Sequence, residues 1–69
     1  MPLTYLNAGE SRLIQRIAGK DDVQKHLASL GFVPGEKVTV VSTRGKDLIV
    51  QIRESRVAIS ESLAERIMV

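Results

Sequence analysis

Apolar residues recur along this chain with two different spacings, and each spacing predicts a different element. Val23, Leu27 and Leu30 fall at i, i+4 and i+7, one narrow stripe on a helix. Asp21 suits the N-cap of that helix, with Gln24 three residues on to complete a capping box, so the pattern predicts an α-helix over residues 21–30. Downstream the period shortens to two. Val38 and Val40, then Leu48, Val50 and Ile52, then Val57 and Ile59, alternate with polar neighbours and predict three half-buried strands. Residues 11–17 alternate less cleanly, with Leu13, Gln15 and Ile17 expected on one face and Ile14 on the other. Ahead of them, Leu3 and Leu6 are expected to lie on the body, with Asn7-Ala8-Gly9 turning into the first strand. Ser62-Leu63-Ala64-Glu65 reads as a second capping box, predicting a short helical turn near 62–66. Ile67 and Val69, alternating around Met68, complete a last short strand.

The exit from the long helix is the strongest local signal. Gly31 stands where a helix-ending residue takes positive φ, which costs glycine least. With Gly31 at C′, Phe32 and Leu27 occupy the C″ and C3 positions whose side chains meet in a Schellman ending. Pro34 and Gly35 suit the two central positions of a type II turn, so helix end and chain reversal follow within a few residues. Further turns are expected at Arg44-Gly45-Lys46-Asp47 and at Glu54-Ser55. The pattern as a whole predicts one α+β domain, mainly β, with about five short strands, mostly antiparallel, arranged as a small barrel.

Composition narrows the chemistry. The chain has 69 residues, enough for one small core, with 43% apolar and 26% charged residues as in folded domains. Cysteine is absent, which excludes disulfide staples, thiolate metal sites and a cysteine nucleophile. The longest apolar runs are three residues, as in Leu48-Ile49-Val50, and no basic head with an apolar run opens the chain. A soluble, cytoplasmic protein with no direct membrane insertion is therefore expected. The formal charge is only +2, with basic and acidic residues interspersed, the pattern of a solvated surface rather than a nucleic-acid patch.

No catalytic constellation emerges. Neither a nucleophile elbow nor a phosphate-binding loop is present, and Asp21 and Asp22 would repel an anion at the start of the helix. One histidine, His26, with Asp22 one turn earlier, makes the weak pair of candidate metal ligands. That is too few for an ordinary zinc site, so no cofactor is required, although a labile divalent metal held partly by carboxylates stays open. With Tyr5 and Phe32 as the only aromatic residues, neither base stacking nor polyproline recognition has a platform. A docking surface for another protein remains. Its candidates are Tyr5, Lys25, His26 and Ser29 on the outer helix side, and Arg44 and Lys46 in the central hairpin. Weak self-association stays open as well.

The run Leu27-Ala28-Ser29-Leu30-Gly31-Phe32-Val33-Pro34-Gly35 resembles the L-x-x-(L/M)-G-(hydrophobic)-x-P-G segment of the ferrous iron transport protein A (FeoA) family. Val57-Ala58-Ile59, followed by Ala64-Glu65-Arg66-Ile67-Met68-Val69, resembles that family's closing pattern. The resemblance spans nearly the whole chain, 1–69, and implies an SH3-like barrel with one inserted helix. It also implies a cytoplasmic, non-enzymatic accessory protein that docks on a membrane iron(II) transporter with a GTPase domain (FeoB-like). A related barrel serves as the accessory domain of iron-dependent repressors, which makes a metal-sensing module the alternative. The chain departs from the family where Thr43 leads straight into Arg44-Gly45-Lys46-Asp47, a shorter hairpin, and where Ser60 replaces a common basic residue.

Overall fold

A computed structural model describes all residues, Met1–Val69. Six strands and two helices follow one another in the order β1 (Ser11–Leu13), β2 (Arg16–Ile17), α1 (Asp21–Ser29), β3 (Lys37–Arg44), β4 (Asp47–Ile52), β5 (Ser55–Ser60), α2 (Glu61–Ala64) and β6 (Ile67–Met68). A 3-10 turn at Leu3–Tyr5 precedes them. Strands β1, β3, β4 and β5 form an antiparallel sheet in the order β1-β3-β4-β5, and β2 pairs with β6 in a second, two-stranded sheet. The hydrogen-bonded strands do not close into a ring. The two sheets instead share one core, in which Ile14 and Ile67 meet Val38, Val40, Leu48, Val50, Ile52 and Ile59.

The alternation expected of β3, β4 and β5 is present. Val38 and Val40, then Leu48, Val50 and Ile52, then Ile59, all point into the core, while Val57 is half-buried. A bulge between Val40 and Ser42 shifts the β3–β4 register by one residue, which bends and twists the long strand. Leu3 and Leu6 are buried as expected, and the Asn7–Glu10 turn is tied by the Glu10 N–H to the Asn7 carbonyl at 3.0 Å.

The expected first strand is in fact two. The Ile14 N–H donates to the Glu36 carbonyl at 2.9 Å, whereas the Gln15 N–H donates to the Met68 carbonyl at 2.7 Å. The chain thus leaves one sheet and joins the other between neighbouring residues. A single period-two pattern cannot cross such a switch, so the face assignment inverts: Ile14 is 2% exposed and Leu13 is 55% exposed.

Two helix starts also differ from expectation. Asp21 is the first helical residue rather than the cap; Lys20 holds the N-cap position with no side-chain bond, and Gln24 Nε2 reaches the Gly19 carbonyl at 2.9 Å. Aspartates at 21 and 22 still lie in the first turn, where the helix dipole favours negative charge. For α2 the cap is Ser60, whose Oγ accepts the Leu63 N–H at 3.3 Å, and the Ser62–Glu65 box does not form. The cause is upstream: β5 runs to Ser60, and the Glu61 N–H is taken by the Lys46 carbonyl at 2.8 Å, which starts the turn two residues early.

The helix exit forms as its residues dictate. Gly31 has φ 103°, the Phe32 N–H donates to the Leu27 carbonyl at 3.0 Å, and the Gly31 N–H donates to the Ala28 carbonyl at 2.9 Å. These are the two bonds of a Schellman ending. Leu27 and Phe32 are fully buried together, and an added Cβ at Gly31 would lie 3.5 Å from Ile52 Cγ1. The Glu36 N–H then closes the Val33–Glu36 turn onto the Val33 carbonyl at 3.1 Å, with Gly35 at φ 91°. Leu30 is the exception on the stripe. As the C-cap it has turned away from the core and is 36% exposed.

Candidate functional site

With no buried polar or charged residue, the interior holds nothing that could act as an acid, a base or a ligand. Chemistry must therefore be sought on the surface. Helix α1 offers the first candidate. Leu27 anchors its inner side, which leaves Gln24, Lys25 and Ala28 beside an apolar groove of about 250 Å³. Ile17 from β2 and the exit residues Phe32, Val33 and Pro34 line the rest. The Schellman ending and the Pro34-Gly35 turn fix the position of that second wall, because every backbone N–H from Gly31 to Glu36, Pro34 aside, is hydrogen-bonded. Ala28 matters by its size. A longer side chain one turn beyond Gln24 would fill the groove.

Of the expected docking residues, Lys25 lines this groove, and His26 and Ser29 are exposed on the same helix. The Ser29 hydroxyl is already engaged, donating to the His26 carbonyl at 2.6 Å. Asp22 and His26 are one turn apart and exposed, and the Asp22 Oδ1 accepts the Val23 N–H at 2.9 Å. No group of three or more histidine, aspartate or glutamate side chains gathers to hold a metal, there or elsewhere.

The other expected residues lie apart from α1. Gly31 at the end of α1 faces Ile52, the last residue of β4, whereas Arg44 and Lys46 border the hairpin at the first residue of β4. At roughly 3.3 Å per residue, the length of β4 separates the two groups by about 17 Å. Lys46 lines a polar hollow with Asp47, Ser60, Glu61, Ser62 and Glu65, and pairs with none of its carboxylates. Tyr5, 72% exposed, belongs to that end, since its 3-10 turn packs on α2. The expected surface is thus two surfaces. Ile17, Ala28 and Val33, which shape the groove, were not singled out from sequence, because half-buried Ile17 and Val33 give the same pattern as core and exposed Ala28 gives no pattern at all.

A model of the FeoA domain matches residues 1–69. The chain belongs to the FeoA family. The putative Fe(2+) transport protein A of Methanocaldococcus jannaschii is 29% identical over 68 residues, covering 99% of this chain and 83% of that protein. The structure of Stenotrophomonas maltophilia FeoA complexed with zinc, named there a prokaryotic SH3 domain protein, superposes with a TM-score of 0.86 at 31% identity. It covers 99% of this chain and 87% of that one. A manganese-dependent transcriptional repressor shares the fold, with a TM-score of 0.88 at 20% identity over 97% of this chain and 39% of that one. The SH3-like fold expected of the family is therefore present, as six strands rather than five and without ring closure.

Proposed function

We propose that this FeoA-family chain is a cytoplasmic, non-enzymatic accessory protein of ferrous iron uptake that docks on the cytoplasmic part of a membrane iron(II) transporter with a GTPase domain. The observation that carries this reading is the α1 groove. It is apolar, open and bounded by a hydrogen-bonded turn, with one unpaired cation, Lys25, at its rim, in a protein whose interior has no polar group. A rigid groove of this kind suits an apolar side chain of a partner, held without reordering of the receptor. Docking would shift the transporter between conformations by contacting one of them better than the other. No helix here is long and apolar enough to cross a membrane, in keeping with a partner that supplies the membrane part.

The test is a binding titration against the cytoplasmic part of the cognate transporter, loaded in turn with GDP and a GTP analogue. Association that differs between the two nucleotide states and is lost in Ala28→Arg supports the reading. Absence of association in both states contradicts it. The metal-sensing alternative makes a separate prediction, stoichiometric binding of Fe(II), Mn(II) or Zn(II) abolished by His26→Ala. The likeness to the manganese-dependent repressor concerns the fold alone and does not favour it.

A further inference from the structure

The outer face of the four-stranded sheet carries two features that packing does not explain. The first is Arg53. It opens the two-residue connection between β4 and β5 at φ 55° and is the only non-glycine residue with positive φ. Glycine would take this conformation at less cost, as it does at Gly45 in the preceding hairpin, so the fold alone gives no reason for an arginine. The second is Leu13, 55% exposed on β1 and the only large apolar side chain in the sheet that stands exposed.

Both features adjoin a single cleft. Lys37, Thr39, Gln51, Arg53 and Glu36 line a concavity of about 300 Å³ with no apolar side chain among them. The strand register sets its floor: Ser11, Thr39, Gln51 and Arg56 lie in one cross-strand row, and Leu13 pairs with Lys37 in the next. Hydrogen bonds hold the row in place. Ser11 Oγ and Thr39 Oγ1 are 2.7 Å apart, and Arg56 Nε donates to Gln51 Oε1 at 3.4 Å. Arg53 Nη2 donates to Glu36 Oε1 at 3.1 Å, the only ion pair in the protein.

That single pair leaves most donors free. A guanidinium has five N–H groups, and Glu36 engages one of those on Arg53. Lys37 makes no side-chain hydrogen bond, and Arg56 meets only a neutral amide. Three cations thus share one carboxylate on a fixed, concave, donor-rich surface with an exposed leucine at its edge. We infer that this face binds an acidic segment of a partner protein, its carboxylates on Arg53, Lys37 and Arg56 and an apolar side chain on Leu13. Charge complementarity chooses the occupant, because guanidinium groups match carboxylates in pairs of parallel hydrogen bonds, and Leu13 adds a contact that a free anion could not use. The strained turn then has a purpose: it aims the Arg53 side chain over the cleft.

The inference shares with the docking reading only the idea that the occupant is a protein segment, and its test needs no transporter. The probe is a capped Glu-Glu-Leu-Glu-Glu peptide titrated into the isotope-labelled protein at low salt, with two-dimensional NMR of backbone and side-chain groups. Shifts confined to Leu13, Lys37, Thr39, Gln51, Arg53 and Arg56 are expected. Lys37→Glu and Arg56→Glu, both at exposed strand positions, should each weaken binding by about tenfold or more while the spectrum stays that of the folded protein. Lys20→Glu, a charge change of the same size ahead of α1, should leave affinity within about twofold. Equal weakening by Lys20→Glu would overturn the inference, since it would mean attraction by net charge. No shifts at millimolar peptide would overturn it too, as would tighter binding of inorganic phosphate or phosphatidylglycerol vesicles at the same residues. Failure here would leave the α1 groove and its transporter assay untouched.

Discussion

Gly31 and Arg53 both sit at positive φ where a chain element ends, one after α1 and one after β4, yet the two positions are filled for opposite reasons. At Gly31 the conformation serves the core. It lets Phe32 fold back beside Leu27 and brings the backbone against Ile52. At Arg53 the same kind of turn serves the surface, because the residue that would relieve it has no side chain to place over the cleft. At these two positions, then, glycine is used where packing depends on the bare backbone, and arginine where a side chain is used. The contrast also separates the two candidate surfaces, the apolar groove that the glycine exit shapes and the cationic cleft that the arginine overhangs.

The comparison can be broken in four places. Phe32→Ala removes the buried ring that the exit positions, a change worth about 3–5 kcal/mol. In a domain of this length that approaches the whole stability, so loss of a cooperative thermal melt is expected. A melt lowered by only a few degrees would mean that the exit is not central. Gly31→Val should cost roughly 1–3 kcal/mol, from a β-branched residue forced to positive φ beside Ile52. Urea denaturation would measure it, and a change of a few tenths would show that the backbone escapes at little cost. Ser60→Ala removes the cap of α2 and should cost about 0.5–2 kcal/mol by the same method, whereas Ser62→Ala should cost less. The reverse order would restore the cap to Ser62. Smallest of all, Arg53→Gly should stay within about 0.5 kcal/mol of wild type, because relief of the turn offsets the greater freedom of the unfolded chain.

Elements whose signal is local were legible in the sequence. Gly31, Phe32, Pro34 and Gly35 encode their own turn chemistry, and β4 shows its buried face by strict alternation. What escaped depended on partners distant in the chain. The break between Ile14 and Gln15 is decided by Glu36 and Met68, and the early start of α2 by Lys46, none of which is visible from the neighbouring residues. The candidate site divides in the same way. Lys25 and the helix it stands on could be read, but the groove needed Ile17 brought across from β2. Tyr5 was placed with α1 because exposure can be guessed from sequence and neighbourhood cannot. Arg53 went unnoticed, although a charged residue where a two-residue hairpin favours glycine was its signal.

One experiment joins both halves of the account: urea denaturation and acidic-peptide titration carried out side by side on Arg53→Gly. The prediction is unchanged or slightly raised stability together with weakened peptide binding, the mark of a strained turn maintained for its side chain. A protein that loses stability by more than about 1 kcal/mol and binds the peptide as before would contradict it, since Arg53 would then be part of the fold rather than of the surface.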